Sequence, residues 1–453
     1  SGNIASGKPV ILNSTGTVSQ AAGASEIYGT AVTFESNTVG SVVSAFDSGS
    51  NKTVIAYYDV ANSNYGTAVV ATVSGTTISY GTPVVYESAT ATNQSIAYDV
   101  NANKTVISYA DAGNSEYGKS VVATVSGTSI SFGTPVTFNS AGTTSTTTVY
   151  DANAQKVLVS CNSTYSAGKS SVGTVSGTAI SFGTQATFVG AYGALNADSS
   201  TYDSTAQKIL LAYVYNSVGY AIVGTISGTT VSFGTAGTYY SGSNSAITAT
   251  YDSAKNKTGI FYKRSSDDTA WAVVATVSGT SVTFGTAVQF SATNVVSSSA
   301  SYNVAAGVIC VFYRGTAPTY YGMLITGSIS GTNISFSTAS TAYSASLESP
   351  ASSYDSTSER VVMVYQDNVS DRGEAKVAQI VPSNLTATNL LGIAAGAITN
   401  GASGAINTWG SRNEVQTSLT VASDYYVQSD GTITTTSTSP AQLIGQAITA
   451  TQI

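Results

Sequence analysis

Along most of this chain, apolar and β-branched residues come in short runs separated by Gly, Asn and Asp. Residues 94–138 show the pattern: 94–99, 104–111 (KTVISYAD), 119–126 (KSVVATVS) and 128–138 (TSISFGTPVTF) are each rich in Val, Ile, Thr, Tyr and Phe. The 3.6-residue periodicity of an amphipathic helix is absent from this region. Four short β-strands, A to D, are the reading.

The same stretch recurs. An aromatic-Asp pair stands at Phe46-Asp47, Tyr98-Asp99, Tyr150-Asp151, Tyr202-Asp203, Tyr251-Asp252 and Tyr354-Asp355, with Tyr302-Asn303 as a variant. Ser-Gly-Thr or its equivalent centres on Gly75, Gly127, Gly177, Gly228, Gly279 and Gly331. Aromatic-Gly-Thr centres on Gly29, Gly81, Gly133, Gly183, Gly234 and Gly285, and ends at Ser337 in a degenerate copy. Six steps separate Asp47 from Asp355, a period of about 51 residues. Four-stranded repeats of this size imply a β-propeller.

Strands A to C occur seven times, but the last copy stops without a strand D. The orphan strand D lies at the other end, in residues 26–36 (EIYGTAVTFES). The expected fold is therefore all-β: a seven-bladed β-propeller over residues 26–382, closed by the N-terminal strand, which removes the open sheet edge. Residues 1–25 read as a β-hairpin packing with residues 385–453, a small β-rich module suited to attachment or oligomerisation.

The repeated residues have local reasons. Gly in Ser-Gly-Thr supplies a positive φ at a tight C–D turn. The Asp ends strand A, and Lys52, Lys104, Lys156, Lys208, Lys257 or Arg360 follows five positions later. The Asp is expected to cap the A–B turn and face this cation in an exposed contact. The sixth copy loses both partners, with Asn303 and Val308. Five residues further on, strand B carries Tyr57, Tyr109, Tyr213, Tyr262, Tyr313 and Tyr365, with Cys161 in the third copy. Cys161 and Cys310 lie in blades that are not adjacent, so they read as small buried residues and not as a disulfide.

Composition narrows the chemistry. Charged residues make up 9% of the chain, against about 25% in an average soluble protein. The net charge is −7, which argues against nucleic acid or anionic lipid as a partner. There is no histidine, so a Ser-His-Asp triad and a His-bearing zinc site are excluded. One Asp per repeat does not make a calcium loop. No metal and no cofactor are expected. No apolar run reaches membrane-spanning length, and Ser1 opens the chain without a visible signal peptide.

The stretch GAITNGASGAINTWG…SDYYVQSDGTITTTSTSPAQLIGQAITATQI resembles terminal modules of bacteriophage virion proteins, above all tail-fibre and capsid-fibre proteins of marine phages. SGKPVILNSTGTVS and the SGTxISFGTxVxF repeats are similar to segments of such proteins. The resemblance implies a non-enzymatic fibre or decoration protein on the virion surface, homo-oligomeric, held to other virion proteins and binding a host-surface glycan or protein. It carries over no functional residue.

The A–B and C–D turns, which repeat closely, share one face of a propeller. The B–C and D–A loops share the other, and here they vary: residues 59–66, 111–118, 162–168, 215–219, 263–271, 314–322 and 366–375 form the B–C set. Varied loops on a rigid scaffold are where recognition sits. This face offers Tyr65, Tyr117, Tyr165, Tyr215, Tyr220, Trp271, Tyr320 and Tyr321, together with Arg264, Arg314, Arg372, Asp267, Asp268, Asp367 and Asp371. Aromatic faces beside Asn, Asp and Arg stack on and hydrogen-bond sugar rings or protein side chains. The same tyrosines also serve to close blade ends. A glycoside hydrolase or sialidase-like propeller is the enzymatic alternative, needing paired carboxylates or an arginine cluster. The candidate groups, with Glu348 and Glu374 added, follow no catalytic spacing. A bacterial extracellular surface or matrix protein is the third reading.

Overall fold

A computed structural model of the chain describes residues 2–22, 24–164, 167–190, 195–315, 319–385, 388–428, 430–437 and 442–453. The chain divides into two compact units, Ile27–Gln379 and Ser1–Glu26 with Ile380–Ile453.

The larger unit is an all-β, propeller-like array. In the second repeat, strand B (Lys104–Asp111) pairs antiparallel with strand A through Lys104↔Asp99 and with strand C (Tyr117–Ser126) through Ile107↔Val121. Strand D is not continuous as the sequence suggested. It forms as Ser129–Phe132 and resumes at Val136, both parts pairing with strand C. The break falls at Gly133, whose N–H donates to the Val122 carbonyl at 2.9 Å.

That break explains the aromatic-Gly-Thr marker. A Cβ on Gly133 would lie 1.8 Å from the carbonyl oxygen of Thr178, in the C–D turn of the next repeat. Gly81 meets Thr128 at the same distance, and Gly29 meets Thr76. The glycine is a point of close approach between repeats. Ser337 breaks the rule where the rule has no cause. The repeat after it draws its C and D strands from opposite ends of the chain and has no C–D turn to receive.

The other markers also join repeats. Ser-Gly-Thr glycines sit at φ 61–62° in their hairpins. Asp47, Asp99, Asp151, Asp203, Asp252 and Asp355 accept from the backbone N–H three residues ahead at 2.8–3.0 Å. They are buried, and among the described residues none forms an ion pair with the cation that follows. The expected exposed Asp–Lys contact is thus replaced by a buried cap, because the turn directs its N–H groups at the carboxylate. Asn303 keeps that bond, to Ala306 N–H at 2.9 Å, so the sixth copy loses the charge and not the cap. The tyrosine of the pair reaches back one repeat: Tyr98 Oη accepts from Gly49 N–H at 2.9 Å and Tyr202 Oη from Asn153 N–H at 3.1 Å.

Each A strand lies against the A strand of the next repeat, and hydroxyls tie each to the next. Gln94 N–H donates to Ser41 Oγ, and Ser95 bonds Thr148. Thr147 bonds Ser200, Ala249 N–H donates to Ser199, Ala300 N–H to Thr248, and Ser352 N–H to Ser299. Ser44 Oγ then donates to Ser353 Oγ at 3.1 Å, joining first copy to last. Val32–Glu35 pairs with Arg372–Val381 through Val32↔Ala375. The core lies between repeats as well: Val362, Val364 and Val377 pack with Val42, Ile55 and Tyr57.

Three of the expected D–A loops are not loops. Val84–Asp99, Val136–Asp151 and Ser340–Asp355 run from one repeat's D into the next repeat's A as bent strands. Bulges take up the bend, with Asn93 and Ser349 at φ 50° and 48°.

In the smaller unit, Pro9–Leu12 and Val18–Gln20 form a hairpin, and Pro9–Leu12 also pairs with Leu390–Ala394. A second sheet holds Asp424–Val427 between Ile433–Thr434 and Gln442–Gln446. Ile393, Tyr425, Ala447 and Ile453 form one of its small cores. The turn expected at residues 429–431 begins at Ser429, which lies outside the described residues.

Candidate functional site

The tyrosine of strand B stands at one fixed register, and the strand C residue opposite it varies among the repeats. The pairs are Tyr57↔Thr67, Tyr109↔Lys119, Cys161↔Lys169, Tyr213↔Tyr220, Tyr262↔Trp271, Tyr313↔Met323 and Tyr365↔Glu374. The preceding repeat's strand D brings a buried or half-buried aromatic against this position. Ring centroids lie 5.2 Å apart for Phe34–Tyr57, Tyr86–Tyr109 and Tyr239–Tyr262, and 4.6 Å for Tyr343–Tyr365. The residue after that aromatic varies too: Glu35, Glu87, Asn139, Val189, Tyr240, Ser291, Ser344. Each junction between repeats therefore presents one aromatic frame with different tips.

At two junctions the tips neutralise each other. Lys119 Nζ lies 3.3 Å from Glu87 and 2.5 Å from Asp111, while Tyr109 Oη donates to Glu87 at 2.7 Å. Arg372 lies 2.9 Å from Glu374 and 3.8 Å from Asp367, and Tyr365 Oη donates to Glu374. Asp367 is buried and also accepts from the Val369 N–H and the Ser370 hydroxyl. Those donors hold its carboxyl below the usual range against the opposing pull of burial.

The junction before strand B of the fifth repeat (Lys257–Arg264) is different. The Arg264 guanidinium carbon lies 3.4 Å from the centroid of the Trp271 ring and 4.8 Å from that of Tyr240, so two aromatic rings pack on one cation. Trp271 Nε1 donates to Thr269 Oγ1 at 2.6 Å, and that hydroxyl donates to Asp267. Asp268 is drawn to Lys263 at 2.7 Å. Among the described residues no carboxylate comes within 4.0 Å of Arg264 in an ion pair. Below lies Tyr262, 1% exposed, whose Oη has no hydrogen-bond partner. Burial pushes its pKa up, and the nearby guanidinium pulls it part of the way back. Thr238, Tyr239, Tyr240, Ser241, Tyr262, Arg264 and Ala287 line an open cleft of about 340 Å³ here.

The other candidates are spread over further junctions. Arg314 lies over Tyr320 at 4.7 Å and pairs with Glu348 at 3.4 Å. Tyr213 and Tyr220 stack at 5.7 Å, and Tyr215 packs into the same cluster. Tyr65, Tyr117 and Tyr321 open their C strands half-buried, and Asp371 is exposed. Tyr165 lies outside the described residues. Sequence reasoning missed Tyr240, Glu87 and Glu35 as tip residues. Their signal was present: the position after the strand D aromatic varies among the copies.

No protein-family model matches the chain, and no curated protein matches it in sequence. Among solved structures it is similar to the BP39L lectin of Burkholderia pseudomallei, with TM-score 0.58 and 12% identity over 77% of this chain and 98% of that one. A protein of unknown function from Dyadobacter fermentans follows, with TM-score 0.48 and 10% identity over 79% and 100%. The lectin of Aleuria aurantia, described as a six-bladed β-propeller, has TM-score 0.40 and 12% identity over 68% and 96%. At these identities the likeness speaks for the propeller fold alone.

Proposed function

We propose that this chain is a non-enzymatic carbohydrate-binding protein built on a closed seven-bladed propeller. Closure with seven blades is supported by the Ser44–Ser353 bond, the pairing of Val32–Glu35 with the last C strand, and the turn-less junction that tolerates Ser337. The observation that carries the function is the Tyr240–Arg264–Trp271 stack over Tyr262. Aromatic faces beside a guanidinium on an open cleft suit the apolar face and hydroxyls of a pyranose ring. A protein of similar fold is a lectin of Burkholderia pseudomallei. The carboxylate pairs Glu87/Asp111 and Glu374/Asp367 are tied to Lys119 and Arg372, which suits structure better than acid–base work.

The test is binding of the purified chain to an array of surface glycans, with product release measured in parallel. Saturable binding without turnover is expected; turnover overturns the non-enzymatic reading, and absence of any glycan binding overturns the function. We place the protein on a virion surface, with the terminal unit as its attachment module, on the resemblance of the terminal stretches to virion proteins. Detection of the chain in purified particles tests that location.

A further inference from the structure

We propose that the fifth-repeat cleft takes an anionic sugar, a pyranose bearing a carboxylate or sulfate, with the anion on the edge of Arg264 and the ring against Tyr240, while Trp271 holds the guanidinium in place. This rests on the carbohydrate reading above and deepens it.

Three observations converge. First, the guanidinium has no carboxylate partner among the described residues, whereas Lys119, Arg314 and Arg372 each have one. Second, two rings pack on it, so its N–H edge is the polar part it offers to the cleft it lines. A guanidinium edge presents two parallel N–H donors that match a carboxylate or sulfate in plane. Third, Tyr262 lines the same cleft, is 1% exposed, and its hydroxyl lacks a partner. The polar group that acts on that hydroxyl is the Arg264 guanidinium, so Tyr262 fixes the inner side of the cation at the cleft.

The strand register supports the geometry. Tyr262 pairs with Trp271, so these two side chains and Arg264, two residues on, share one face of the sheet. Lys263 falls on the opposite face, and Asp268 goes with it. Asp267 accepts from Thr269 through both backbone and hydroxyl, which holds its carboxyl below the usual range. Asp268 is thus committed to Lys263, and Asp267, held by Thr269, acts on Arg264 through its charge but forms no ion pair with it among the described residues.

The experiment is calorimetric titration of the full chain and of Arg264→Gln, Arg264→Lys and Trp271→Phe. The probes are trigalacturonate, its carboxyl-reduced form, sialyllactose, lactose, and lactose 3′-sulfate. Circular dichroism and thermal melting confirm that each variant is folded. The inference expects an acidic probe to bind at least tenfold more tightly than its neutral counterpart, with affinity falling as salt rises. Arg264→Gln removes that preference. Arg264→Lys keeps the charge and loses the planar stack, and falls by about tenfold as well. Preference for trigalacturonate or sialyllactose identifies a carboxylate ligand, and preference for lactose 3′-sulfate a sulfate ligand. Equal affinity for acidic and neutral probes overturns the inference and leaves the carbohydrate reading intact. An acidic preference that survives in folded Arg264→Gln overturns it too, by placing the anion elsewhere. If no probe and no surface glycan binds, the carbohydrate reading itself fails.

Discussion

The junction before the fifth repeat and the junction before the seventh have one frame and opposite chemistry. In both, a strand B tyrosine is sealed under a strand D tyrosine from the neighbouring repeat, with ring centroids 5.2 Å apart at Tyr239–Tyr262 and 4.6 Å at Tyr343–Tyr365. In the seventh, Arg372 closes onto Glu374 and Asp367, and Tyr365 finds an acceptor. In the fifth, Trp271 replaces the glutamate, Tyr240 stands beside it, and the arginine has rings in place of anions. The difference teaches that the repeat supplies packing, while a handful of tip residues decides whether a junction is closed on itself or open to a ligand.

The comparison breaks most visibly at the frame. Tyr262→Ala and Tyr365→Ala each remove a fully buried ring and should cost about 4 kcal/mol in urea unfolding. A loss at one site and not the other would show that the frame is not shared. At the tips, the effects should part. Glu374→Ala strands the Tyr365 hydroxyl and half of the Arg372 pairing, and should cost about 2 kcal/mol. Arg264→Gln removes only stacking on two rings, and should cost about 1 kcal/mol or less.

The hydroxyls give a finer test. Tyr365→Phe deletes a bonded hydroxyl and should destabilise by about 1 kcal/mol, whereas Tyr262→Phe deletes an unbonded one and should be neutral or stabilising. Equal losses would mean that Tyr262 Oη is already satisfied in solution.

The smallest effect is in alkaline titration. Burial raises the pKa of Tyr57, Tyr109, Tyr262 and Tyr365. Folded-state values above the unfolded value of about 10 mean that the folded chain holds these protons longer. Their contribution to stability is therefore complete below about pH 10 and lost as pH rises through the folded values. Glu35, Glu87 and Glu374 push the first, second and last of these further up, while Arg264 pulls Tyr262 down. Tyr262 should ionise first of the four, seen as the tyrosinate absorbance missing from Tyr262→Phe.

Much of the scaffold was legible along the chain because each repeat carries its own turn chemistry. Ser-Gly-Thr announces the C–D hairpin, and the orphan EIYGTAVTF segment announces a strand D in need of a sheet. The strand B tyrosines were legible as a repeated position, and the structure buries them. The tips were legible only in part. Arg264 and Trp271 belong to one repeat and were both expected on the varied face. Tyr240 comes from the preceding repeat, and nothing local says that it lies on the same guanidinium. The buried Asp caps were half legible: the turn role was readable, but not the burial that removed the Asp–Lys contact.

The sequence by itself determined strands, turns, the repeat and the residues that vary within it, because hydrogen bonding in short hairpins and the positive φ of glycine are local demands. Only the tertiary structure decided which tips meet across a junction, which charges are neutralised and which arginine keeps an open edge. Those outcomes depend on contacts between residues that are distant in sequence. They are set by packing one sheet's face against the next, which lands Tyr240 of one repeat on Arg264 of the next and Glu87 of one on Lys119 of the next.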